Sequence, residues 1–385
     1  MPKIGPASPL GKSIATFPRG PSPLARTHPP THTPTSMRRF RTLLALLVLV
    51  IVVGCAPDEE RPAEATPGDT VPEAVAPEGE PGDPEGGWDR DIVFLHSDAD
   101  EPLLLAWHFR QTLEGEGARW LRSLRVRSVT GWESVLDDTL RVPRSRAPWR
   151  IVPGGGVAIV VETDDALSSL LYADGPRSAE VSFDEFLAEW SRPEGGAFRI
   201  FRATGIVPEP SGVEGTGTGP ELREREGLVL DLTRAWSAGE TPPGDWIFLE
   251  AGAGTHLIME ERSGTPPPAS PALEPEDDTE APLHAIRFRG WSRVAFQAQP
   301  WPELRVEWIE TRAFERARRD IPQRWRISSA GGEVEGEVEA TSSHLHAGEG
   351  EGPLLPVRAY FEVEGEMRID GESIPVRGVI RHVQR

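Results

Sequence analysis

Gly244-Asp245-Trp246-Ile247-Phe248-Leu249-Glu250, a glycine turn, then Thr255-His256-Leu257-Ile258-Met259-Glu260-Glu261-Arg262 is the stretch on which the fold reading turns. Both arms are short apolar runs bounded by turn residues, which predicts two strands of an antiparallel hairpin. The same signal recurs on either side. Upstream, residues 91–95, 103–110, 120–130, 134–142, 157–163, 168–173, 197–203 and 227–233 suit strands. Downstream, so do 284–289, 293–297, 304–310, 323–328, 333–340, 357–364, 366–369 and 374–383. About eighteen strands at near-regular spacing, with no solenoid or propeller repeat, predict an all-β chain of two successive antiparallel barrels or sandwiches meeting near residue 240.

One helix is expected. Ser182-Phe183-Asp184-Glu185 has the spacing of a capping box, and Phe186, Leu187 and Trp190 follow at helical intervals, for about two turns. Residues 311–320, with Arg312, Arg316, Arg318 and Arg319, read as a charged surface segment, either a second short helix or a loop. Residues 208–227, 264–282 and 347–353, rich in Gly, Pro and Glu, read as loops.

Before Trp88 the composition changes. Residues 56–87 are mostly Pro, Glu, Asp, Ala and Gly, with one arginine and no aromatic, whereas all twelve tryptophans lie from Trp88 onward. Such a segment cannot bury enough apolar surface to fold, and its acids extend it: it reads as a tether. Preceding it, Met-Arg-Arg-Phe-Arg at residues 37–41 is followed by an unbroken apolar run from Leu43 to Val53 and by Val52-Val53-Gly54-Cys55. Eleven residues rise only ~17 Å as a helix, against the ~30 Å of a bilayer core, so the run reads as a signal peptide and not as a span. Its end resembles a bacterial lipobox, which makes Cys55, the only cysteine of the chain, the expected site of lipid attachment. With Ala56 following, the resemblance implies a cell-envelope location, at the outer membrane facing the periplasm. The expected organisation is 1–36 as a disordered or mis-assigned extension, 37–54 as signal peptide, 55–87 as tether, 88–240 as the first β domain and 241–385 as the second.

Charge and composition narrow the chemistry. The net charge is −20, and the first 54 residues hold seven basic and no acidic side chains, so the rest carries −27. Nucleic acid is an unsuitable partner for such a surface. The two lysines are Lys3 and Lys12, so no Schiff-base or P-loop lysine exists beyond Cys55. With its one cysteine committed to lipid, the folded part is expected to contain no disulfide. There is no Gly-x-Ser-x-Gly elbow. Pro153-Gly154-Gly155-Gly156 precedes a strand pattern and reads as a hairpin turn. The adjacent acids Asp137-Asp138 and Asp164-Asp165 read as turn residues, since neighbours on a strand point to opposite faces. His344 and His346 share a strand face but have no third ligand nearby, so no metal site and no cofactor are expected.

The hairpin quoted above resembles the D-W-F-x-L hairpin of AttH-like and carotenoid-hydratase-like proteins, which are tandem lipocalin-like barrels. Ile321-Pro322-Gln323-Arg324-Trp325-Arg326-Ile327 is similar to that family's Y-P-x-x-W-x-L strand, and Tyr360-Phe361-Glu362 with Gly365, then Val376-Arg377-Gly378, follow in its order. The resemblance covers about 140 residues and implies lipocalin-like domains. At the family's W-x-D-H-E-W segment this chain has Ala235-Trp236-Ser237-Ala238-Gly239, keeping the tryptophan and losing the Asp-His; the final G-Y-x-E is replaced by Ile380-Arg381-His382-Val383.

The expectation is therefore an envelope-anchored lipoprotein whose barrel holds a hydrophobic small molecule or lipid. Trp236, Trp246, His256, Glu260, Trp325, Tyr360 and Glu362 are the candidate ligand-contacting residues. His256 with Glu260, and Tyr360 with Glu362, share strand faces and would form an acid–base cluster if those faces were lumenal. A hydratase or hydrolase on the same scaffold and a purely structural envelope component are the alternatives. A lumenal Asp-His pair would favour the enzyme, a wide apolar cavity the binding protein, and filled barrels the structural role.

Overall fold

A computed structural model of the chain describes residues 86–98, 102–144, 152–161, 167–174, 177–192, 195–208, 222–252, 254–262, 284–294 and 297–385. The extension, the signal peptide, Cys55 and the tether up to residue 85 lie outside the described residues, as do Asp164-Asp165 and the 264–282 loop.

The described part is all strand and turn. Nine antiparallel strands form the first sheet: β1 (Gly86–His96), β2 (Leu104–Glu114), β3 (Gly117–Ser128), β4 (Gly131–Pro143), β5 (Val157–Val161), β6 (Leu167–Asp174), β7 (Arg177–Ser191), β8 (Gly196–Pro208) and β9 (Leu222–Ser237). Their order is β4-β3-β2-β1-β9-β8-β7-β6-β5, so the first and last strands pair at the centre. The remaining eight, β10 (Trp246–Ala251), β11 (Thr255–Glu261), β12 (His284–Val294), β13 (Gln297–Phe314), β14 (Arg319–Ser329), β15 (Val334–Ala347), β16 (Val357–Ile369) and β17 (Glu372–Gln384), close into a barrel when β17 pairs β10. This is the all-β class of two successive antiparallel structures expected from the strand pattern, and the lipocalin-like class that the family resemblance implied, with one curled open sheet and one closed barrel.

Alternation along each strand sorts the side chains into three cores. One face of all nine sheet strands, including Trp88, Trp107, Phe109, Trp120, Val181, Phe201 and Val229, forms a single cluster, which requires the sheet to curl around it. Inward residues of all eight barrel strands, among them Leu249, Met259, Phe288, Trp325, Phe361 and Ile380, fill the lumen. The third core is a seam in which the outer face of the sheet (Val93, Leu104, Phe198, Leu230) packs on the outer face of the barrel (Trp246, Phe248, Ile258, Tyr360, Val379).

Two local expectations are corrected. The Ser182–Trp190 stretch lies within strand β7, whose register shifts between Phe183 and Glu185 and again between Phe186 and Ala188. Two bulges advance the alternation twice, which puts apolar residues at three- and four-residue spacing without a helix. The would-be capping carboxylates instead have cross-strand partners, Thr204 for Asp184 and Arg202 for Glu185. Residues 311–320 are likewise the end of β13, a tight turn and the start of β14, with Arg312, Arg316 and Arg318 exposed as expected of a surface segment.

Candidate functional site

Most candidate residues face the seam and not a lumen. Trp246 and Tyr360 meet on one carboxylate: the indole Nε1 donates to Asp91 Oδ2 at 2.9 Å and the phenol to Oδ1 at 3.2 Å. Asp89 lies on the same face of β1, and the two carboxylates share Arg234 (2.8 and 2.9 Å) and Arg381 (3.1 and 2.8 Å). Asp89 also accepts from Arg110 and from His108. Burial opposes the charge on Asp89, yet Arg110, Arg381, His108 and Arg234 outweigh it and hold the carboxyl well below its usual range. His108 is pushed down to about 4, by burial first and by Arg381 second, so it is neutral at pH 7. Burial and Asp91 push the Tyr360 phenol up, away from ionisation.

The other candidates are dispersed. Glu260, buried on the barrel's outer face, accepts from Arg192 at 2.9 Å and Arg289 at 2.6 Å. His256 stacks on Phe248, and burial followed by Arg293 pushes it down to about 4. Glu362 accepts from Ser342 and pairs with Arg127. Trp236 packs beneath the Arg110 guanidinium, 5.6 Å from its ring centre. Trp325 alone is lumenal, edge-on to Phe361. The proposed acid–base cluster is therefore corrected: both of its strand faces point outward into the seam, and their acids are spent on arginines.

Two of the recesses among the described residues bear on function. The first opens at one end of the curled sheet: a cavity of about 470 Å³ walled by Leu103, Leu105, Leu124, Val126, Tyr172 and Val207, with Arg223, Arg225 and Glu133 toward its rim. Its lining comes from seven different strands or their ends, and Trp107 and Phe109 pack the interior beyond.

The second lies at one end of the barrel, in a recess of about 490 Å³. Asp245, just before β10, Glu261 at the end of β11 and His382 near the end of β17 all have the inward parity of their strands. His382 Nδ1 is 2.6 Å from Asp245 Oδ2, so the imidazole donates there and carries its proton on Nδ1. The other oxygen of Asp245 accepts the Val383 amide at 2.7 Å, and its own amide donates to Glu261 Oε2 at 3.0 Å. Burial, and then the charge of Asp245, push Glu261 up. Trp308 stands edge-on to His382 with ring centres 5.2 Å apart. His382 is 1% exposed, and its Nε2 has no partner among the described residues. Sequence reasoning missed this pair, because Asp245 and His382 are 137 residues apart and only barrel closure joins them. The one available signal was Asp245 at the head of the quoted hairpin.

No protein-family model and no curated protein matches the sequence. Several solved structures align with most of the chain. Kievitone hydratase from Nectria haematococca aligns over 78% of this chain and 88% of its own, with a TM-score of 0.47 and 12% identity. An AttH-like protein from Nitrosomonas europaea aligns over 77% and 92%, with a TM-score of 0.48 and 14% identity. CghA, in complex with Sch210972, aligns over 77% and 88%, with a TM-score of 0.44 and 12% identity. These likenesses concern shape alone.

Proposed function

We propose that this protein is a lipid-anchored binding protein of the bacterial envelope, held at the membrane through Cys55, whose curled first sheet takes up the apolar part of a small molecule or lipid. The observation that carries the reading is the aliphatic cavity of about 470 Å³ in that sheet. Its size lies within the usual range for small-molecule sites, and its lining is apolar with a few polar groups at the mouth, which suits an amphiphile entering tail first. Burying ~300 Å² of apolar ligand surface is worth about 7 kcal/mol, which corresponds to micromolar affinity before ordering costs. The ligand site moves with this reading from the second barrel, whose lumen is filled by side chains, to the first sheet.

The test is a titration of residues 77–385, one compact unit, with the polyene fatty acid cis-parinaric acid. Saturable quenching of tryptophan emission is expected, and Ala179→Trp, which fills the cavity wall, abolishes it. Equal binding by that variant would move the ligand elsewhere. The rival reading, a hydratase or hydrolase, is favoured by one observation, the lumenal Asp245–His382 pair.

A further inference from the structure

Strand β9 begins Leu222-Arg223-Glu224-Arg225-Glu226-Gly227, with base and acid alternating residue by residue. Alternation on a strand sends the two kinds to opposite faces. Arg223 lies opposite Val207 and Arg225 opposite Gly205; further along, Gly227 meets Ala203 and Val229 meets Phe201. Directly opposed residues share a face. Val207, Ala203, Phe201 and Val229 all belong to the core inside the curled sheet, so both arginines take the inner face and Glu224 and Glu226 the outer one. At a rise of about 3.4 Å per residue the arginines follow each other by roughly 7 Å at the mouth of the apolar cavity, which both of them line. Arg223 is exposed and Arg225 half-buried, so both can be reached from water. Glu133, opposite Val126 on the same inner side, is the one acid among the described residues of the lining. Two guanidinium groups against one carboxylate leave that lining a net charge of +1, in a chain whose net charge is −20. All three groups have partners, so an incoming anion exchanges with one of these, and Glu133 is the acid of the lining with which it competes.

We propose that the cavity takes a single-chain amphiphile with an anionic headgroup, a fatty carboxylate or a lysophosphatidate, and that Arg223 and Arg225 select it over neutral and zwitterionic amphiphiles of the same chain. The inference rests on the cavity reading above and adds the charge of the ligand. A guanidinium presents parallel N–H donors that match a carboxylate or a phosphate. Two such groups placed in succession on one face also repel each other, and an anion between them relieves that repulsion. Because the pair stands at the mouth and partly in water, it discriminates more than it anchors: the buried chain supplies the affinity and the arginines supply the choice of headgroup. A volume of about 470 Å³ lies in the lower half of the range for small-molecule sites, which suits one chain rather than two.

The experiment uses the full-length protein in non-ionic detergent micelles at about pH 8, where a carboxylate headgroup is ionised. Quenching of tryptophan emission is compared for cis-parinaric acid and cis-parinaryl alcohol, with partition into protein-free micelles subtracted. The acid should bind about tenfold more tightly than the alcohol, the weight of one charge-assisted contact. That preference should shrink as salt rises from about 20 mM to about 500 mM, a readout that needs no variant. Arg223→Gln together with Arg225→Gln should bring the acid-to-alcohol ratio toward one, Arg223→Lys with Arg225→Lys should retain part of it, and Glu133→Gln should raise it. Competition by palmitate, palmitoyl lysophosphatidate and palmitoyl lysophosphatidylcholine then separates the headgroups. The tighter of the two anions names the source, and a zwitterion that competes as well as either overturns the proposal. A ratio near one in the unaltered protein, or one unmoved by the double glutamine variant, overturns it as well. In those cases, loss of both probes in Ala179→Trp leaves the cavity reading standing. Absence of saturable binding by acid and alcohol alike removes that reading and this inference together.

Discussion

Asp91 shows most directly how single side chains set the properties of this protein. It accepts from Trp246, Tyr360, Arg234 and Arg381, all within the seam and none exposed. Removing it leaves two buried arginines to share Asp89 and strips the Trp246 indole and the Tyr360 phenol of their acceptor, and breaking such a buried set costs about 3–5 kcal/mol. Asp91→Ala should therefore lower the urea midpoint far more than truncation of an exposed acid such as Glu372; equal losses would mean that the seam network is not stabilising. The histidines give a pH prediction. His108, His256 and His344 are each pushed down to about 4 from 6.5, with burial as the largest cause. Their native pKa values lie below the unfolded ones, so the unfolded chain binds more protons in that window. Stability is full above pH 6.5 and declines as pH falls toward 4, by on the order of 3 kcal/mol for fully buried His108 alone. Asp89, depressed by its arginines, adds a further loss below the ordinary carboxylate range. Urea midpoints between pH 7.5 and 4.5 check this, and His108→Gln should flatten the slope; a midpoint constant across that range would contradict it.

Strands were legible from alternation, but alternation does not say which face is which. Tyr360 and Glu362 do share a face, and so do His256 and Glu260; that face is the barrel's exterior, because Phe361 and Val363, or Leu257 and Met259, fill the lumen. The capping-box spacing of β7 misled for a related reason, since two bulges imitate helical periodicity in a strand. β17 shows what the elements achieve together. Arg381 points into the seam and its neighbour His382 into the lumen, so one strand carries both the charge network and the imidazole. β17 also closes the barrel, and Gly378 permits that closure, since a Cβ there would lie 1.9 Å from the Phe248 carbonyl oxygen on β10. Gly378→Ala should cost about 1–3 kcal/mol, as overpacking does, read as a lower denaturation midpoint. An unchanged midpoint would mean that β10 and β17 do not approach so closely.

For the whole molecule, the curled sheet and the barrel share an apolar seam with a buried ionic network at its end. The connection between them is held by arginines from both sides: Arg110 and Arg385 bond the Pro243 carbonyl, and Arg234 that of Gly244. Calorimetry should therefore show the sheet and the barrel melting in one transition, and two resolved transitions would contradict the seam's role. The seam could not be read from sequence, because its partners, such as Asp91 and Arg381, are 290 residues apart. The sheet's cavity was equally hidden: its walls are ordinary aliphatic strand residues that become a cavity only when the sheet curls. The central claim, that this cavity receives an apolar ligand, is tested most directly by photocrosslinking the full-length protein with a diazirine-bearing fatty acid and mapping the labelled peptides. The account predicts label on Leu103, Leu105, Val126 or Val207 and its loss in Ala179→Trp; label concentrated on Trp325 in the barrel, or on Trp246 and Tyr360 in the seam, would contradict it.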